Sequence, residues 1–277
     1  MKKILVPLDF SKVSINALNY AVQLAKHTGA KIQLLHVSFA PSTITTNTVV
    51  PIPSAAQLLR EGMEDLEKVK KKILKRHEDI RIDCKCVNGF PVEEISLFAE
   101  KNKPDLIIMG NQGTGYISER FFGSTATTVI GNSKVPVLVI DRKMRFRKVK
   151  RIVLACDFVE TRLQALKPLK DLAKLFDAEI FILNIVQQQI VAPTVEETIA
   201  AYKLDLSLRN LHHTFFYLHH ENVVQGINDF VSKHKMDMVV MIPRHHSFFS
   251  RLLLEPYTKQ MAFHAKVPLL ALESTNV

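Results

Sequence analysis

Glycine is scarce in this chain, nine in 277 residues, or about 3% against about 7% in an average protein. Long apolar runs are absent. None approaches the roughly 20 residues of a membrane-spanning helix, and the opening MKKILVPLDFS reaches Pro7 and Asp9 too early for a signal-peptide core. Cytoplasmic residence is the resulting expectation. Cysteine is too rare for a disulfide framework: Cys84, Cys86 and Cys156 are all there are. Cys84 and Cys86 alternate within RIDCKCV and read as two residues on one face of a strand. Also missing are a Gly-Lys-Ser/Thr phosphate loop and the third glycine of a dinucleotide fingerprint.

What is present is unevenly distributed. Five of the nine glycines (Gly110, Gly113, Gly115, Gly123, Gly131) fall in one short window. The net charge of +10 has its densest source in RKMRFRKVKR, residues 142–151, with seven Lys/Arg and no Asp/Glu. Taken alone, that run suggests nucleic acid. Its only aromatic residue is Phe146, and the rest of the chain is close to balanced. A solvated basic connector is therefore expected there, with neither nucleic acid nor membrane as partner.

The chain repeats itself. Lys3–Phe10 (KILVPLDF) is similar to Arg151–Phe158 (RIVLACDF), and Asp105–Met109 to Asp237–Met241. Lys134–Leu138 (KVPVL) is similar to Lys266–Leu270 (KVPLL). The expected units are residues 1–141 and 151–277, joined by the basic linker 142–150. Within the first copy, short apolar runs alternate with helical spacing. Ile4–Leu8, Lys31–Val37, Ile80–Val87, Leu106–Met109 and Val135–Ile140 read as strands. Helices are expected after Ser11, from Ser54 to His77, from Pro91 to Lys101 and from Gly123, and residues 40–53 read as a loop. This βα alternation predicts an α/β protein: two tandem doubly wound, Rossmann-like, five-stranded parallel sheets.

In such sheets ligands bind beyond the carboxyl ends of the strands. The fourth strand runs directly into Gly110-x2-Gly113-x-Gly115-x7-Gly123-Ser124-Thr125. Glycines admit close backbone approach, and a helix opening at Gly123 offers free N–H groups to an anion. Asp9 ends the first strand on the same edge, placed to accept ribose hydroxyls or help hold a divalent metal.

Together, ILVPLDFS, His36-Val37, PDLIIMGNQG, GSTATTVI and VPVLVI resemble the universal stress protein family in its tandem form, over nearly the whole chain. The G-x2-G-x9-G-S/T spacing is that of the family's ATP-binding subgroup. The resemblance implies a strand order 3-2-1-4-5, with Pro7 lining the nucleotide pocket and Asp9 at ribose or metal. It implies Val37 backbone at adenine, and Gly110, Gly113, Gly115, Gly123, Ser124 and Thr125 around the phosphates. ATP, alone or with Mg2+ or Mn2+, is the implied ligand, and AMP or another adenine nucleotide fits the same residues. It also implies that the last strands, Val135–Ile140 and Val267–Leu272, pair the copies as a pseudo-dimer, with a further homodimer open.

The second copy departs from the pattern: Ile242, His245, Glu255 and Pro256 stand where Gly110, Gly113, Gly123 and Ser124 do, while Asp157 keeps the place of Asp9. It also holds eight of the eleven histidines, including His212-His213, His219-His220 and His245-His246. No local nucleophile–base pair is visible. The expected function is ATP binding by the first copy only, in stress response or regulation, with weak ATPase activity at most. The alternatives are an interaction protein with an unidentified protein partner, and metal binding by the histidine-rich copy.

Overall fold

In the computed structural model, residues 1–39, 54–111, 123–156, 163–187, 193–242 and 267–273 are described. The expected 40–53 loop and the positions of Gly113, Gly115, Asp157, His245, His246, Glu255 and Pro256 lie outside them. The first half runs β1 (Lys3–Pro7), α1 (Lys12–Thr28), β2 (Lys31–Ser38), α2 (Ala55–Leu74), β3 (Ile82–Asn88), α3 (Pro91–Asn102), β4 (Leu106–Gly110), α4 (Ser124–Asn132), β5 (Val137–Ile140). The second runs β6 (Arg151–Ala155), a 3-10 turn at Leu163–Leu166, α5 (Lys167–Phe176), β7 (Glu179–Val186), α6 (Val195–Leu208), β8 (His213–His219), α7 (Val223–Lys233), β9 (Met238–Met241), β10 (Leu269–Ala271).

Local chemistry sets the helix ends. The Ser11 side chain accepts from Ser14 N–H and caps α1, and Gly29 closes that helix at φ 67°. Ser54 caps α2, Pro91 occupies the first turn of α3, and Thr194 with Glu197 forms a capping box on α6.

The strands form one ten-stranded sheet in the order β3-β2-β1-β4-β5-β10-β9-β6-β7-β8. Each half keeps the 3-2-1-4-5 order and is internally parallel. The two expected sheets merge because β5 and β10 pair antiparallel, Leu138 opposite Leu270. Strand alternation divides the core into two layers, each continuous across both halves. Ile4, Val6, Leu138, Ile152 and Leu270 face α1, α2, α5 and α6, whereas Leu5, Ile107, Val139, Val153 and Leu269 face α3, α4 and α7. Burying the sheet on both faces explains the continuous apolar runs of its central strands.

The repeat extends to hydrogen bonds. His36 Nδ1 donates to the Leu8 carbonyl at 2.7 Å, and in the second half Asn184 Nδ2 donates to Cys156 at 3.2 Å. The Asp105 carboxylate accepts from the backbone of Lys2 and Lys3, as Asp237 does from Lys150 and Arg151.

The basic connector is also anchored. The charged side chains of the 142–150 connector are exposed, while its apolar side chains turn inward. Met144 and Phe146 pack on the core, and Val149 is buried. The Phe146 ring lies 5.0 Å from Tyr20 and 5.4 Å from His27 of α1, and 6.2 Å from Phe176 of α5. Asn16 Nδ2 donates to the carbonyls of Asp141 and Met144, both at 2.8 Å, fixing the start of the segment to α1.

Candidate functional site

In the first half, β1 and β4 are neighbours whose following helices lie on opposite faces of the sheet, which makes their carboxyl ends the switch point. Pro7 ends β1 opposite Leu35, and Asp9 stands exposed two residues beyond. Its carboxylate accepts from Ser11 N–H at 3.0 Å, so the Asp9–Ser11 turn is closed by Asp9 itself. Between them Phe10 has φ 61°, a left-handed conformation that is costly for a bulky residue. Its ring packs at 4.6 Å on His36, which β2 presents from the adjacent strand. Val37 follows, half-buried opposite Val87 of β3.

Gly110 is the last residue of β4. A Cβ there would lie 2.6 Å from Val13 Cγ1 and 3.2 Å from the Val13 backbone, so this glycine lets the first turn of α1 rest on the strand end. Next, Asn111 N–H donates to Ile140 at 3.1 Å, and its side-chain amide donates to Asp141 Oδ2 at 2.8 Å. The Asn111 Oδ1 is buried without a hydrogen-bond partner among the described residues. The Asn111 carbonyl accepts from Gly123 N–H, which joins the end of β4 to the start of α4. Asn111 was not singled out by the sequence, although its place beside Gly110 was a usable signal.

Four helices of this half begin on this edge, and their starts differ. Those of α1 and α2 are capped by Ser11 and Ser54 side chains. The first turn of α3 carries Glu93 and Glu94, which oppose a further negative charge. Gly123 opens α4 with neither a side-chain cap nor an acidic residue in the first turn, followed by exposed Ser124 and half-buried Thr125. Its first N–H groups and positive dipole end suit an anion. The residues present thus fit a phosphate group at α4, and Asp9 places an exposed carboxylate on the same edge.

Elsewhere three histidines of the second half have structural partners. His213 Nε2 lies 2.9 Å from Asp205 Oδ1, His220 Nδ1 accepts from Asn222 N–H, and the His234 ring stacks on Phe230 at 4.2 Å. Among the described residues no group of three or more His, Cys, Asp or Glu is placed to hold a metal ion. Cys84 and Cys86 share a face of β3, and burial, with Glu67 nearby, pushes the Cys84 thiol up to about 11. Ile242, in the place of Gly110, is buried. None of the described helices is long and apolar enough to cross a membrane.

Comparison with known proteins agrees with this architecture. The model of the universal stress protein family matches residues 1–141 and again 148–273. Universal stress protein MJ0531 of Methanocaldococcus jannaschii is 35% identical over 148 residues, 51% of this chain and 82% of the relative. Universal stress protein YxiE of Bacillus subtilis is 31% identical over 147 residues, 50% of this chain and 97% of the relative. A universal stress protein from Archaeoglobus fulgidus shares the fold at a TM-score of 0.72 and 19% identity, covering 99% of this chain and 97% of its own. The chain belongs to the universal stress protein family, with two of the family's domains in tandem.

Proposed function

We propose that this protein is an adenine-nucleotide-binding regulatory protein that holds one ATP per chain, in its first domain (1–141). The observation that carries the reading is the start of α4, which alone among the four helix starts of its edge has neither a side-chain cap nor first-turn acid. In this reading the amides of Ser124 and Thr125 bind phosphate oxygens, and Gly110, Gly113, Gly115 and Gly123 keep the approach clear. Asp9 takes the ribose or a Mg2+ or Mn2+ ion, while Pro7 and the Val37 backbone border the base. A bound divalent ion would supply charge neutralisation at the phosphates.

The second domain is assigned no ATP, because Glu255 and Pro256 replace the glycine and serine that open α4. A carboxylate there repels phosphate, and proline removes a donor. Isothermal titration with ATP and Mg2+ is expected to give one site per chain, and Gly123→Glu to abolish it. Two sites would refute the assignment of the second domain, and none would refute the whole reading. Native mass spectrometry of the purified protein would identify a retained nucleotide and separate ATP from AMP.

A second reading, an interaction protein, draws on α6. Val195, Ile199, Tyr202 and Leu206 are exposed at helical spacing along it. If Gly123→Glu loses nucleotide but keeps cellular function, this reading gains.

A further inference from the structure

The connector looked like an isolated run of charge in the sequence. In the structure it lies between two helices that extend it. Phe146 joins it to Tyr20 and His27 of α1 and to Phe176 of α5. Lys150 Nζ donates to the Phe176 carbonyl at 3.1 Å, and Asn16 ties the other end to α1. Helix α1 contains Lys12 and Lys26 and no acidic residue, and α5 contains Lys167, Lys170 and Lys174 against Asp171. These three segments hold eleven of the 37 Lys/Arg and one of the 27 Asp/Glu. The rest of the chain, 26 basic and 26 acidic, is formally neutral. The net charge of the protein therefore resides on one face.

We infer that this face binds the phosphate backbone of double-stranded nucleic acid without regard to sequence. Arg142, Lys143, Arg145, Arg147 and Lys148 are all exposed, and no carboxylate of the described residues is within ion-pair distance of any of them. Their positions are held: Met144 and Phe146 turn inward while Arg145 and Arg147 turn outward, with buried Val149 closing the array. A fixed row of cations matches a polymer with regularly spaced phosphates. A fluid bilayer needs no such order, and binds flexible basic segments as well.

The partner is a duplex because the face offers no aromatic platform. Phe146 and Tyr20 are engaged in the core, and Leu175 is the one large exposed apolar side chain in the three segments, so stacking on unpaired bases has no counterpart here. Contacts confined to phosphates carry no base readout.

The test is fluorescence anisotropy of the full chain with a labelled 24-base-pair DNA duplex of arbitrary sequence. Five phosphate contacts give a slope of log affinity against log salt of about −4.5, a loss of several hundred-fold from about 50 to 200 mM salt. Arg145→Glu with Arg147→Glu is expected to weaken binding at least tenfold and to make the slope shallower by about 2. The change of net charge is matched by Lys71→Glu with Lys72→Glu, exposed on α2, which should alter affinity less than twofold. Thermal melts of both variants verify the fold. Equal losses in the two variants would overturn the assignment, since binding would then follow overall charge. Retention by phosphatidylserine vesicles without duplex binding would overturn it in favour of a membrane, and no binding to either would overturn it outright. ATP titration is independent of every arm.

Discussion

At the residue scale, Gly110 shows how a position in the proposed phosphate site also serves packing. The spacing of the glycines was readable in the sequence as a phosphate motif, but the role of Gly110 under α1 was not, because Val13 is almost a hundred residues away in the chain. With a Cβ 2.6 Å from Val13 Cγ1, Gly110→Ala is expected to cost about 1–3 kcal/mol of stability. A denaturation curve unchanged from the parent would contradict the close approach. Asp105 gives a prediction in pH. Its partial burial raises the carboxyl, but the backbone donors of Lys2 and Lys3, with the terminal amine and Lys167 nearby, together hold it below the ordinary value. A depressed folded value means that the charged carboxylate stabilises the fold above the unfolded value of about 3.9, and that this contribution disappears as pH falls through the folded one. Asp105→Asn should therefore lower stability at pH 7 by about 1 kcal/mol, an amount limited by the exposure of the site. Urea melts at pH 7 and pH 3 would test it, because the difference from the parent should fade at the acidic end.

At the element scale, helix starts were legible where a local cap announces them: Ser11, Ser54 and Pro91 each stand at or beside the observed boundary. The start of α4 was legible for the opposite reason, since Gly-Ser-Thr supplies backbone donors without a side-chain cap. Gly123→Asp exploits that difference. The new side chain would cap α4, adding a few tenths of a kcal/mol to the nucleotide-free protein, while its charge displaces phosphate. Expected together are an equal or slightly higher melting temperature and a lost ATP isotherm; tight binding by this variant would argue against phosphate at α4. The anchoring of the connector was hidden from sequence. Met144 and Phe146 sit among charges and have no periodic neighbours, and their partners come from α1 and α5. Phe146→Ala should cost about 2 kcal/mol, less than the roughly 3–5 of a fully buried ring, since Phe146 is only half-buried. A calorimetric scan showing no loss would contradict the anchoring of the connector by Phe146.

For the whole molecule, the three repeated sequence blocks revealed the tandem architecture, and the family resemblance indicated the edges that meet. The direction of their pairing was not legible, because hydrophobic patterning looks the same for parallel and antiparallel neighbours. Antiparallel pairing puts the strand ends of the two domains on opposite margins of the sheet, so the β1–β4 site and its altered counterpart face apart. Residues 1–141 produced alone should expose β5 and self-associate through it, and light scattering of a stable monomer would contradict that. The same seam bears on biosynthesis. Strand β5 is made roughly 130 residues before β10, its partner. At about 5–20 residues per second, the edge waits about 7–26 s on the ribosome without its cover. Translation speed through the second domain thus sets how long nascent chains can pair with one another rather than with themselves.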